Sequence, residues 1–296
     1  MKSEHIDCPR NDRAVYGLSK DRVSFAVKYS IFMYGLAAVL GVAAVVKHYA
    51  DNERDYAAQS KTQDHLATPE CSEKIRDYFS QARIFPSDTP VLVIPGFATN
   101  DAYMSVLRDR LAEKGHIVYG WNYGLNTGAT PEVAEQLKER IEKISQENNG
   151  QKVSLVGYSL GGVFAREFAR HYPDKIDRVV TLASPFGLQD ADGKTDKRIL
   201  ETQKIFAGLA GSTEIADAKA SPNVPTTSLF ALNDMMVNWK NSVSNSAEQS
   251  ENIVIKGLHP ALPFSKSAAR AIHVTLSVNS ENPVSLQQKV CAAKPR

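Results

Sequence analysis

This sequence has few of the residues that hold metal ions or bind nucleic acids. Among 296 residues there are only three cysteines and seven histidines, and neither an H-E-x-x-H nor a C-x-x-C motif occurs. The 35 lysines and arginines nearly balance the 33 aspartates and glutamates, which leaves a formal net charge of +2. Basic stripes with interleaved aromatic residues and internal repeats are also missing. We therefore expect no metal site, no nucleic-acid partner and no repeat architecture.

The N-terminal part contains one long uncharged run. Tyr29–Val46 lies between Lys28 and Lys47 and is long enough, as a helix, to cross the roughly 30 Å core of a bilayer. We predict an uncleaved transmembrane signal anchor at 29–46, after an N-terminal tail at 1–28. A cleaved signal peptide and a buried core helix are the alternatives, but the polar tail is long for the first part of a signal peptide.

The predicted anchor also gives a predicted location. Lysines and arginines near the two ends of the run are balanced, but the whole tail is basic, which favours an N-terminus on the inner side. We therefore predict a single-pass protein of the bacterial inner membrane with a periplasmic catalytic domain. In that oxidising compartment Cys71 and Cys291 could form a disulfide, and two unrelated buried thiols are the alternative.

The composition beyond the anchor predicts a short connection followed by one large domain. Residues 47–87 are read as a polar stalk with a leading helix, and residues 88–296 as the domain. The domain alternates apolar runs with amphipathic segments, which is typical of an α/β fold whose mostly parallel sheet is flanked by helices. The predicted strands are Val91–Ile94, Ile117–Trp121, Val153–Val156, Arg178–Ala183, Thr227–Leu232 and Asn252–Ile255.

A G-x-S-x-G motif directly follows the third of these strands. In Gly157-Tyr158-Ser159-Leu160-Gly161 the serine stands between a strand and helix-forming sequence, as in a nucleophile elbow. Gly157 and Gly161 allow the strand and the helix to approach each other closely at the sharp turn. The motif predicts that Ser159 is a nucleophile, although such a cluster of small residues also occurs by chance in turns.

A nucleophilic serine needs a base and an orienting acid, and in enzymes with this elbow they follow in the order acid, then histidine. His259 lies in the loop after the last strand, whereas His171 and His273 fall within helices. Asp234 directly follows a strand, where it could also cap the next segment. The backbone N–H groups of Leu160 and Phe97 are the predicted oxyanion hole.

These motifs, together with Pro95-Gly96 and Ala183-Ser184-Pro185-Phe186-Gly187, resemble bacterial lipases and carboxylesterases of the α/β-hydrolase superfamily. The resemblance covers roughly residues 88–278. It implies Ser159 as nucleophile, His259 as base, Asp234 as orienting acid and no cofactor. Pro95-Gly96 replaces the His-Gly pair common in lipases, which weakens the distinction between a lipase and an esterase.

The resulting hypothesis is a membrane-anchored serine hydrolase that acts on lipid or other acyl-ester substrates. An acyltransferase or a thioesterase would use the same three residues, and a non-catalytic membrane-tethered binding module is the alternative from another class. Residues 186–225 form the largest insertion and alternate apolar residues with charges and glycines. They are interpreted either as a lid over an acyl-binding cleft or as an ordinary packed helix pair.

Overall fold

A parallel sheet forms the centre of the computed structural model, which describes residues 42–63, 66–81, 84–187, 189, 194–245, 250–277 and 286–291. All neighbouring strands are parallel, in the order β2-β1-β3-β4-β5-β6. The predicted α/β fold with a parallel sheet is therefore confirmed. The strands are β1 (Val91–Ile94), β2 (Val118–Gly120), β3 (Val153–Tyr158), β4 (Ile176–Leu182), β5 (Thr226–Ala231) and β6 (Ser250–Ile255).

Helices cover both faces of this sheet. The α-helices are α1 (Val42–Gln59), α2 (Pro69–Gln81), α3 (Asp101–Glu113), α4 (Pro131–Glu147), α5 (Leu160–His171), α6 (Lys197–Leu209), α7 (Lys266–Leu276) and α8 (Leu286–Cys291). On β1, Val91 and Val93 pack with α2, α3 and α7, whereas Leu92 and Ile94 pack with α4, α5 and α6. This alternation is the two-residue period of a strand buried on both faces.

Short polar side chains fix where several helices begin. The Asn100 side chain accepts a hydrogen bond from the Tyr103 N–H at the start of α3. Thr130 and Ser265 cap α4 and α7 in the same way. Such caps satisfy N–H groups that have no partner inside the helix. They hold the helix starts, and therefore the loops before them, in fixed positions at the edge of the sheet.

The predicted membrane location is wrong. Most of the predicted anchor, residues 29–41, lies outside the described residues, and residues 42–46 belong to the start of α1. This helix does not end with the apolar run but continues through Lys47 and Asp51 to Gln59. In the part of the chain that the structure describes, no helix is both long and apolar enough to cross a membrane.

The segment predicted as a stalk is packed against the domain. Tyr56 of α1 is only 1% exposed and lies in one apolar cluster with Phe230 and Trp239. Its ring centroid is 5.9 Å from that of Phe230 and 5.3 Å from that of Trp239. Helix α1 thus contacts the domain through a few aromatic and polar side chains, which leave no continuous apolar stripe in the sequence.

The described part of the 186–225 insertion is a packed helix with its flanking loops. Ile199 and Phe206 of α6 are buried, Phe206 against the elbow helix α5. The guanidinium of Arg166 on α5 lies 3.7 Å from the ring centroid of Phe186 and donates to the Ala220 carbonyl. These contacts favour the packed-helix interpretation over the mobile lid.

Cys71 and Cys291 lie side by side, on α2 and α8. Their sulfur atoms are bonded, and their Cα atoms are 5.5 Å apart, although the two residues are 220 positions apart in the chain. That Cα separation is usual for a disulfide. The bond links the helix that precedes the sheet to the last described helix.

His116 and His273 form a buried pair on the face of the sheet covered by α2, α3 and α7. His116 Nε2 lies 2.8 Å from His273 Nδ1, and both rings are almost completely buried. Burial, followed by the field of His273, lowers the pKa of His116 to about 4. Burial also lowers the pKa of His273, with further contributions from Arg270 and Lys114. The pair is therefore accommodated in its neutral form.

This pair predicts a loss of stability in mild acid. Because the pKa of each folded histidine lies below the unfolded value of about 6.5, the unfolded chain binds more protons as the pH falls. The free energy of unfolding should be highest above about pH 6.5 and should decrease towards pH 4. Between pH 7 and pH 5 we expect a decrease on the order of 1–2 kcal/mol from His116.

Urea unfolding at both pH values, on wild type and His116→Leu, measures this contribution. The variant should show a smaller decrease between pH 7 and pH 5 than wild type, whatever its absolute stability. An equal decrease in the two proteins would contradict the assignment to the histidine pair.

Candidate active site

Ser159 lies at the sharp turn between β3 and α5. Its backbone has φ 52° and ψ −123°, a conformation that is unfavourable for any residue with a Cβ. The turn is held because the Ser159 N–H donates to the Leu182 carbonyl of β4, and the Ser159 carbonyl accepts from the Gly162 N–H, at 2.9 and 3.0 Å. The serine is half-buried, so its hydroxyl remains accessible at the end of the strand.

The two predicted elbow glycines are required by the space around this turn. A Cβ on Gly157 would clash with the backbone of Gly161 and Gly162 on the opposite side of the turn. A Cβ on Gly161 would clash with the carbonyl oxygen of Ile94 at the end of β1. Any larger residue would therefore push α5 away from the sheet.

The structure brings together the three side chains that the sequence singled out. Ser159 Oγ lies 3.1 Å from His259 Nε2, and His259 Nδ1 lies 2.7 Å from Asp234 Oδ2. The three residues follow β3, β6 and β5, and the carboxyl ends of parallel strands meet at one edge of the sheet. His259 and Asp234 are only 4% and 3% exposed. The arrangement is a continuous line of hydroxyl, imidazole and carboxylate.

The Asp234 carboxylate has a separate partner for each oxygen. Oδ1 accepts hydrogen bonds from the backbone N–H groups of Met236 and Val237, at 2.8 and 2.9 Å. Oδ2 is left for the imidazole. Asp234 therefore binds the backbone that follows it and contacts His259 at the same time, as the sequence allowed. Because the loop's own backbone fixes the carboxylate, the aspartate can in turn fix the orientation of the imidazole ring.

Two tyrosines, which the sequence did not indicate, hold the loop that contains His259. The hydroxyl of Tyr158, next to the elbow serine, donates to the His259 carbonyl at 3.0 Å. The hydroxyl of Tyr103 on α3 donates to the Pro260 carbonyl at 2.7 Å. These bonds fix the main chain on which the imidazole stands. The sequence does not indicate such contacts, because a single hydrogen bond between distant segments leaves no periodic pattern.

The loop after β1 provides the second predicted oxyanion donor, Phe97. Within the described part of the chain, neither the Phe97 N–H nor the Leu160 N–H donates a hydrogen bond to another residue. The loop passes directly beside the serine, because a Cβ placed on Gly96 would lie 2.9 Å from the Ser159 Cβ. Both backbone donors therefore remain available near the hydroxyl.

Asn126 connects this loop to the loop after β2. Its side-chain amide donates to the Pro95 carbonyl at 2.8 Å, and its own carbonyl accepts from the Ala98 N–H at 2.7 Å. Its backbone N–H also donates to the Thr99 carbonyl at 2.9 Å. Asn126 is almost fully buried. The loop after β2, which contains Asn126, thus holds the Phe97 loop in place.

The described residues offer no obvious place for a metal ion. No group of three or more histidine, cysteine, aspartate or glutamate side chains within the described ranges is arranged to hold one.

Comparison with known proteins agrees with this architecture. The family model for the alpha/beta hydrolase fold matches residues 89–247, which include Ser159 and Asp234. The chain belongs to the α/β-hydrolase fold family. His259 and the whole of α1 lie outside the matched residues.

Aspergillus fumigatus lipase B has a similar structure, with a TM-score of 0.50 and 15% sequence identity over 70% of this chain and 57% of that chain. That likeness shows the fold alone.

Curated relatives of this α/β hydrolase include proteins of different descriptions. Its sequence is 27% identical to the abhydrolase domain-containing protein abhd-5.2 of Caenorhabditis elegans over 132 residues. The aligned segment covers 42% of this chain and 30% of that relative. It is 23% identical to the poly(3-hydroxyalkanoate) polymerase subunit PhaC of Thiocystis violacea over 149 residues. That alignment covers 46% of this chain and 41% of the relative. The chain thus spans less than half the length of these relatives.

The contacts of Asn126 predict that it positions the Phe97 N–H. Asn126→Asp keeps the size of the side chain but removes its N–H donor, so the loop should shift and the phosphonylation rate of Ser159 by a fluorophosphonate probe should fall about tenfold, or about 1.4 kcal/mol. Thr127→Ala, at an exposed neighbour in the same loop, serves as the control. Unchanged labelling of a folded Asn126→Asp variant would rule out this role.

Proposed function

We propose that this α/β hydrolase is a serine hydrolase that cleaves carboxylic esters. The observation that carries the proposal is the line of contacts from Ser159 Oγ to His259 Nε2 and from His259 Nδ1 to Asp234 Oδ2, at 3.1 and 2.7 Å. A serine hydroxyl is a weak nucleophile until an adjacent base removes its proton, and the base works best when an acid fixes its orientation. The proposed roles are nucleophile, general base and orienting acid, respectively.

In the first half of the reaction, Ser159 Oγ attacks the ester carbonyl carbon while its proton passes to His259 Nε2. The carbonyl oxygen takes up the negative charge and accepts hydrogen bonds from the N–H groups of Leu160 and Phe97. The Leu160 N–H also lies at the N-terminus of α5, where the helix dipole favours negative charge. Collapse of the tetrahedral intermediate breaks the ester bond. The imidazolium returns the proton to the departing alcohol.

In the second half, water replaces the alcohol. His259 takes a proton from the water molecule, whose oxygen attacks the acyl-serine carbonyl, and the same two backbone donors stabilise the second oxyanion. Breakage of the acyl–serine bond releases the carboxylic acid and returns the proton to Ser159 Oγ. Asp234 keeps its charge throughout and stabilises the imidazolium formed in each half.

The loops around this line favour an apolar acyl group. Phe97, Leu125 and Met236 expose 61%, 53% and 56% of their surfaces, and they lie on the loops that follow β1, β2 and β5. These strand ends are at the same edge of the sheet as Ser159. Large exposed apolar side chains concentrated at one edge are typical of a surface that contacts an apolar ligand. Esters with an apolar, lipid-like acyl group are therefore the proposed substrates.

The proposal predicts which substitutions abolish turnover. With p-nitrophenyl esters of graded chain length, Ser159→Ala and His259→Ala should each lower kcat by at least about 10³-fold, because nucleophile and base act as a unit. Asp234→Asn should show a comparable loss. His171→Gln is the matched control, since His171 also follows Ser159 but lies at the far end of α5. It should retain activity within about twofold.

The same assay distinguishes the related chemistries. Adding glycerol or another alcohol tests transfer to an acceptor other than water, and preferential formation of the new ester would indicate an acyltransferase. Faster turnover of acyl thioesters than of matched oxygen esters would indicate a thioesterase. A folded wild-type protein without turnover of any of these substrates would overturn the enzymatic proposal in favour of a binding module.

A further inference from the structure

One face of helix α1 lies along the segment that contains Asp234. His48, Asn52 and Tyr56 are spaced four residues apart and therefore lie on the same side of the helix. Each of them contacts the stretch from Phe230 at the end of β5 to Trp239. Residues 42–59 lie outside the part of the chain matched by the hydrolase family. The helix thus reaches the loop of Asp234 from outside the matched residues.

Two polar side chains of α1 bind the backbone next to the carboxylate. The Asn52 side-chain amide donates to the Leu232 carbonyl at 2.8 Å. His48 Nε2 lies 3.2 Å from the Asp234 carbonyl oxygen and 3.0 Å from Asn52 Nδ2. A protonated Nε2 donates to Asp234, whereas a bare Nε2 accepts from Asn52. The Asn52 bond to Leu232 is present in either tautomer.

Further contacts hold α1 against the same segment. Tyr56 is buried against Phe230 and Trp239, and its hydroxyl donates to the Ala67 carbonyl. Lys240 Nζ lies 2.7 Å from the Asp55 carboxylate. That ion pair is half-exposed, and such pairs contribute little on their own. The buried aromatic cluster therefore fixes helix α1 against the domain. Asn52 and His48 of this helix in turn contact the main chain of Leu232 and Asp234.

We infer that helix α1, chiefly through Asn52, positions Asp234 for its contact with His259. The inference rests on the proposed function for its catalytic consequence, although the geometry is independent of it. The backbone N–H groups of Met236 and Val237 hold one oxygen of the Asp234 side chain. Helix α1 holds the main chain, through the carbonyl oxygens of Leu232 and Asp234. The aspartate is thereby held from two directions.

Such positioning matters because a displacement of about 1 Å can cost a hundredfold in rate when reacting groups must be aligned. A shift of Leu232 and Asp234 lengthens the bond from Asp234 Oδ2 to His259 Nδ1, so the imidazole loses its preferred orientation. Of the side chains proposed to contact the acyl group, Phe97 and Leu125 lie on other loops, whereas Met236 shares the loop of Asp234. Loss of Asn52 should therefore lower kcat much more than it changes KM. Because kcat is calculated per folded protein, a simple loss of folded protein would leave it unchanged.

The experiment compares Asn52→Ala, Asn52→Asp and the control Asp51→Ala in the full-length chain. Asp51 is adjacent on α1, but its side chain is exposed and forms an ion pair with Arg54 of the same helix. Asn52→Asp keeps the size of the side chain and removes its donor, which provides a second test if the alanine variant folds poorly. We expect kcat for a p-nitrophenyl ester to fall about tenfold in both Asn52 variants and to stay within twofold in Asp51→Ala.

Proton NMR supplies a readout that does not depend on turnover. The proton between His259 Nδ1 and Asp234 should give a far-downfield resonance, identified by its loss in His259→Ala. The Asn52 variants should shift or broaden this resonance, and Asp51→Ala should leave it unchanged. If kcat and the resonance are the same in the Asn52 variants as in the control, the positioning role is refuted. A wild type without esterase activity whose resonance still responds to Asn52 would instead refute the proposed function and support the positioning role.

Discussion

The close crossing of strand β3 and helix α5 is the constraint on which the rest of the site depends. Ser159 keeps a backbone conformation that is costly for a residue with a Cβ, because hydrogen bonds to β4 and to the start of α5 hold it there. Only glycine fits at 157 and 161, since any side chain would meet backbone of the neighbouring segment. This geometry leaves the hydroxyl accessible at the end of β3, next to the start of α5.

Every other component of the site is held in relation to that fixed turn. The Phe97 loop is secured by Asn126, the His259 loop by the hydroxyls of Tyr158 and Tyr103, and the Asp234 loop by its own amides and by α1. The Phe97 and Asp234 loops contain no regular strand or helix, and His259 begins only a short 3-10 helix, so none of these segments would be rigid by itself. Polar contacts between distant segments therefore supply the rigidity that alignment of reacting groups requires.

The sequence predicts the sheet and the three aligned side chains because both leave local signals. Apolar runs mark the strands, and the order serine, aspartate, histidine at strand ends limits the candidates to very few. Asn126, Tyr158 and Asn52 left no such signal, since the side chain of each donates to a carbonyl on a distant segment. The predicted anchor failed for a related reason. Hydropathy describes residues 29–46 as a unit, whereas the helix that begins at Val42 continues through charged residues and packs on the domain through Tyr56.

The identity of the nucleophile is the central claim, and its covalent capture tests it most directly. The full-length protein would be treated with a fluorophosphonate, and the modified peptide would be located by mass spectrometry. The account predicts a single adduct per chain, on the Ser159 hydroxyl, and no adduct in Asp234→Asn over the same short exposure. An adduct on another residue, or none on the folded wild-type protein, would contradict it.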